Sequence, residues 1–122
     1  MTGGSRPGAQ AWIDVYSGRP PPEWTLTSEE TEELRLLLST LPSGGAPPPG
    51  GLGYRGILVS IPGDSIVATL RAGGGVVAPE PEDGTTLADP GRRVERYLWE
   101  SARRHLAPDV IETLEPHAHL EP

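Results

Sequence analysis

Polar and apolar residues alternate over Ala11–Tyr16, with Ile13 and Val15 on one side and Trp12, Asp14 and Tyr16 on the other. That two-residue period predicts a strand. The period changes beyond a proline-rich connection. Leu34, Leu37, Leu38 and Leu41 keep the spacing of a buried helical stripe, and Thr27-Ser28-Glu29-Glu30 ahead of them forms a capping box. Glu29, Glu30, Glu32 and Glu33 fall in the first turns, where the helix dipole favours negative charge, and Pro42 ends the helix. Alternation returns over Tyr54–Ile61, with Ile57, Val59 and Ile61 on one face. Pro62-Gly63-Asp64 is a turn signal, and Ile66–Arg71 completes a hairpin with Ile66, Ala68 and Leu70 inward. Gly73-Gly74-Gly75 turns the chain again, and Val76-Val77-Ala78 reads as a short edge strand closed by Pro79. Asp89-Pro90 is a helix start. The helix it opens runs to Leu106. Val94, Tyr97, Leu98, Trp99, Ser101, Ala102, His105 and Leu106 form an arc that includes Glu95, and Arg92, Arg93, Arg96, Arg103 and Arg104 lie on the opposite side with Glu100.

The resulting order, β-α-β-β-β-α, predicts an α+β fold: a small two-layer sandwich of a largely antiparallel sheet with two helices on one face. A single domain is expected over residues 11–106, with residues 42–53 as a flexible Gly/Pro loop. Residues 1–10 lack periodicity and read as a disordered lead-in. Residues 107–122 read as a short turn, over Asp109–Leu114, and a mobile acidic tail. So small a core makes association with itself or with another protein an expectation.

Composition narrows the chemistry. All ten basic residues are arginine, and the chain has no Lys, Asn, Phe or Cys, a bias that fits a GC-rich bacterial genome. Without lysine there is no Schiff base or phosphate-loop lysine. Without cysteine there is no thiol nucleophile, thiolate metal site or disulfide. No cofactor or metal is expected. The net charge of −7 opposes phosphate backbones and anionic lipid, so neither nucleic acid nor a membrane is an expected partner. With no apolar run long enough to span a bilayer, the expected location is the cytoplasm. An acidic partner for a basic protein is a further reading, resting on net charge alone.

Two sequence motifs match well-known sites by letter only. Gly51-Leu52-Gly53-Tyr54-Arg55-Gly56 satisfies G-x-G-x-x-G, but it opens a strand rather than the helix whose N-terminus would receive a pyrophosphate. Gly63-Asp64-Ser65-Ile66 looks like the serine block of GDS-type esterases, yet it sits at a hairpin turn and lacks the distant Asp-x-x-His partner. His117 and His119 lie in the tail with no rigid frame for a metal. His105, on the apolar arc, is a core-edge histidine or an acid–base group, and Asp14 is the other candidate for catalysis. The arginine face either grips an acidic partner or pairs with the chain's own acids at 80–83 and in the tail. Trp99, at the margin of the arc, is expected half exposed, as an interaction hot spot.

Ser17-Gly18-Arg19-Pro20-Pro21-Pro22-Glu23-Trp24 is the most distinctive segment. Three prolines extend the backbone, with Tyr16, Arg19 and Trp24 held around them. Its architectural reading makes Trp24 a hydrophobic staple ahead of Thr27. A second reading offers the prolines to an aromatic groove, and a third lines a pocket with Asp14, Tyr16, Arg19 and Arg55. Asp14 to Pro20, Pro22 and Trp24, with the later Gly51–Gly56 segment, resemble a group of small uncharacterised bacterial proteins. These carry a strand leading into S-G-R-P-N-P-x-W and a later L-G-Y-R-G. Pro21 stands where that pattern has Asn. The resemblance implies no activity, but it implies that the two motifs belong to one design. The expectation is a small non-catalytic binding or accessory protein making contacts through Tyr16, Arg19, Trp24, Tyr54, Arg55 and Trp99. The alternative is a small enzyme or ligand-binding domain built on the Asp14–Arg55 pocket.

Overall fold

The computed structural model describes residues 8–15, 21–44, 54–62, 68–79 and 86–118. Strands β1 (Gln10–Val15), β2 (Glu23–Thr25), β3 (Tyr54–Ile61), β4 (Ala68–Gly73), β5 (Val76–Pro79) and β6 (Leu87–Ala88) form one sheet, in the order β2-β1-β3-β4-β5-β6. Every neighbouring pair is antiparallel. Helices α1 (Ser28–Ser39), α2 (Arg93–His105) and α3 (Pro108–Leu114) complete an α+β fold.

Strand register follows from the apolar alternation. Ala11, Ile13, Ile57, Val59, Ala72 and Val77 point to the same side and are buried with Leu34 of α1 and Val94, Leu98, Trp99 and Ala102 of α2. A one-residue slip would turn this whole set away from the helices, so burial fixes the pairing. The β3–β4 hairpin joins as its alternation implies, although Gly63-Asp64-Ser65-Ile66 lies outside the described residues. Gly74 and Gly75 (φ 64° and 86°) supply the two positive angles of a tight β4–β5 turn. Val76-Val77-Ala78 is an inner strand, flanked by β4 and β6, rather than an edge.

The capping box of α1 forms: Glu30 N–H donates to Thr27 Oγ1 (3.0 Å) and Thr27 N–H to Glu30 Oε1 (2.9 Å). Leu34 and Leu41 are buried, and Leu37 and Leu38 pack against the core. The second cap is displaced. Pro90–Arg92 makes a 3₁₀ turn, Gly91 and Arg92 take positive φ, and α2 starts at Arg93. Asp89 still caps it, accepting from the N–H groups of Val94 (3.0 Å) and Glu95 (3.3 Å).

Two ends of the chain are more structured than the sequence pattern suggests. Ala9 lies within the segment expected as lead-in, yet it is fully buried: its N–H donates to Thr31 Oγ1 (2.9 Å) and its carbonyl accepts from Leu26 N–H (2.8 Å). After Pro108 the chain forms α3 and a 3₁₀ turn over Glu115–Ala118, with Ile111 in the core. No helix among the described residues is long and apolar enough to cross a membrane.

Candidate binding site at the β3 bulge

In β3 the register breaks. Ile13 faces Ile57 and Val15 faces Tyr54, so Asp14 alone stands opposite both Arg55 and Gly56. This is a β-bulge, and it re-aims a side chain. Strict alternation from Ile57 would put Arg55 on the core side. The bulge brings it instead to Asp14, on the face opposite the core. Gly56 makes this possible: its φ is 103°, and a Cβ there would stand 2.5 Å from the Ala72 carbonyl oxygen.

Asp14 meets a second guanidinium. Arg71, on β4, makes a close ion pair with Asp14 Oδ2 and donates to the Arg55 carbonyl oxygen (3.0 Å). Arg55 Nη2 lies 3.4 Å from both Asp14 oxygens, at the outer limit of a hydrogen bond. The Arg55 side chain is 39% exposed, against 12% for Arg71 and 18% for Asp14. The Arg55 Nε is nonetheless buried and has no hydrogen-bond partner. Asp14 is therefore held chiefly by Arg71, and Arg55 is the loosely held cation. Trp12 shares this face, opposite Leu58 on β3.

The other expected contact residues divide. Tyr16 and Arg19 lie outside the described residues, and Tyr54 opens β3 beside Val15. Trp24 and Trp99 are not exposed. Trp24 is 5% accessible because Glu23–Thr25 adds a strand to β1, turning its indole inward to donate to Ser101 Oγ (3.0 Å). It is thus a strand residue packed on α2, and Leu26 occupies the position just ahead of the cap. Trp99 is fully buried among the core residues of α2 and the sheet. Neither indole is a surface anchor.

His105 has a structural partner. Its Nε2 lies 2.9 Å from Glu30 Oε1, and Arg104 donates to Glu30 Oε2 (2.9 Å). Burial raises the Glu30 pKa, but hydrogen bonds from the Thr27 backbone, His105, Ser101 and Arg104 outweigh it and hold the carboxyl at about 2. Serine, glutamate and histidine meet here in the wrong order for nucleophilic catalysis. The Ser101 hydroxyl bonds to the carboxylate rather than to the imidazole, and Ser101 is fully buried. The cluster ties α1 to α2 and, through Trp24, to β2.

The arginine face of α2 is largely offset by the chain itself. Arg92 grips the buried Glu95 with two hydrogen bonds of 2.8 Å, Arg103 is paired with Glu115, and Arg104 with Glu30. Arg93 reaches Thr40 (3.2 Å), and Arg96 reaches the Gly91 carbonyl (3.0 Å). Residues 80–83 lie outside the described residues, so the acids seen pairing are Glu30, Glu95 and Glu115. Among the described residues, no group of three or more His, Asp or Glu side chains is placed to hold a metal ion.

Arg71 was the residue sequence reasoning missed. Its signal was weak: a strand-end arginine on the face away from Leu70. The bulge had a clearer one, because Arg55 falls on the apolar phase of β3 and is followed by glycine. The chain matches no protein-family model, no curated protein and no solved structure.

Proposed function

We propose that this protein is a small non-catalytic binding domain whose contact centre is the end of the sheet where β1 leaves and β3 enters. The supporting observation is the bulge that turns Arg55 out of the core phase and onto Asp14 beside Arg71. A backbone irregularity built around an obligatory glycine stabilises nothing by itself, and bulges commonly sit where a side chain must be re-aimed for contact. In sequence, the segment carrying Arg19 follows Val15, the last residue of β1. With Trp24 and Trp99 buried, recognition centres on arginine rather than on those two indoles.

Affinity purification from the cells that make the protein, comparing wild type with Arg55→Gln and Arg19→Ala, tests this reading. A specific partner should be retained by wild type and lost from at least one variant. Identical recovery from all three would count against the site.

A further inference from the structure

We infer that the ligand of this site is a carboxylate, taken by Arg55 while Asp14 and Arg71 stay paired beneath it. The inference rests on the binding reading above and adds the chemistry of the ligand. The two arginines are held unequally. Arg71 is mostly buried, in close contact with Asp14 and bonded to the Arg55 carbonyl, so moving it would disturb β3 and β4 together. Arg55 touches Asp14 only at 3.4 Å, keeps much of its surface in solvent, and has an Nε donor with no acceptor. A buried unsatisfied donor is uncommon in a folded protein and calls for a partner. By moving outward to an incoming oxyanion, Arg55 would replace two long contacts with short, charge-assisted ones and take its Nε out of a buried position where it has no acceptor.

Charge favours a monoanion. A carboxylate neutralises the one loosely held guanidinium. A dianionic phosphate would set extra negative charge beside Asp14, in a protein whose net charge is already −7. Trp12 on the same face offers an apolar surface to the remainder of the ligand. The carboxylate belongs either to a free small acid or to an acidic side chain of a protein partner, and both use the same guanidinium.

The test follows the Arg55 Nε–Hε resonance by NMR as sodium acetate, sodium phosphate and a capped glutamate-containing peptide are added at constant ionic strength against sodium chloride. The expected result is saturable movement of the Arg55 signal with acetate or peptide, and affinity at least threefold weaker for phosphate. Arg55→Gln should weaken binding at least tenfold. Arg35→Gln, which alters a guanidinium held elsewhere by Glu32 and the Pro62 carbonyl, should leave it unchanged. Asp14→Asn, which removes the resident carboxylate, should tighten acetate binding severalfold if its fold is retained by circular dichroism. Comparable affinity for acetate and peptide assigns the site to small acids, and a clear advantage for the peptide assigns it to a protein partner. No response to either, or tighter binding of phosphate, overturns the inference. If partner capture still depends on Arg55 while both carboxylates fail, the binding reading survives and only the ligand class falls.

Discussion

Gly56 shows how much can depend on one missing Cβ. Its φ of 103° and the 2.5 Å approach to the Ala72 carbonyl leave no room for a side chain, so Gly56→Ala must distort either β3 or β4. A loss of about 1–3 kcal/mol is expected from backbone strain alone, read as a lower urea midpoint. At the same scale, Trp99→Ala should cost about 3–5 kcal/mol, because the indole is fully enclosed. An unchanged midpoint for Trp99→Ala would mean that this indole does not pack as described. Glu30 is a third decisive residue. Its carboxyl is depressed from the ordinary range near 4.5 to about 2, so its ionised form is favoured by folding. The stability this gives is complete above the ordinary range and is lost as pH falls through 4.5 toward 2. Glu30→Gln should flatten the stability-versus-pH curve in that window and lower stability at pH 7. An equally steep acid limb in the variant would place the titrating group elsewhere.

The elements were unequally legible. The α1 capping box, the Leu34–Leu41 stripe and the inward face of β3 could be read directly, because each is a local pattern whose period decides its partner. The glycines at 74 and 75 marked their turn for the same reason. β2 was hidden: Glu23-Trp24-Thr25 is too short to show a period and follows three prolines, so only the pairing of Trp24 with Ala11 makes it a strand. β6 is obscured similarly, being a brief segment stabilised by what it packs against, whereas α3 extends the short turn that the sequence places over Asp109–Leu114. Trp99 is fully buried although it sits at the edge of its helix's apolar arc, because the layer that covers it comes from elements distant in sequence; Trp24 packs inward, as the architectural reading has it, but from β2 rather than as the staple ahead of the cap. The sequence groups Asp14 with Arg55 only through the pocket reading; the structure places their side chains 3.4 Å apart and adds Arg71 from the neighbouring strand of the hairpin. The β2 pairing carries its own test. Trp24→Phe keeps an aromatic side chain but removes the donor to Ser101 and leaves part of the indole's volume empty, and together these should cost about 1–3 kcal/mol.

At the scale of the whole molecule, the sheet has two unlike faces. Helices α1 and α2 pack on one, and their junction is fastened by the Glu30 cluster. The other carries Asp14, Arg71 and the bulge-aimed Arg55. Arg71 and Asp14 are mostly buried and tie the strands together, while Arg55 keeps 39% of its side chain exposed. Within the cluster there is an asymmetry: Asp14 pairs closely with Arg71 and only at 3.4 Å with Arg55. Double-mutant cycles on Asp14→Asn with Arg71→Gln, and on Asp14→Asn with Arg55→Gln, measure it directly through urea unfolding. The predicted coupling is about 1 kcal/mol or more for Asp14 with Arg71 and under about 0.5 kcal/mol for Asp14 with Arg55. Equal couplings, or a larger one for Arg55, would mean that both arginines serve the fold and neither is kept for a ligand.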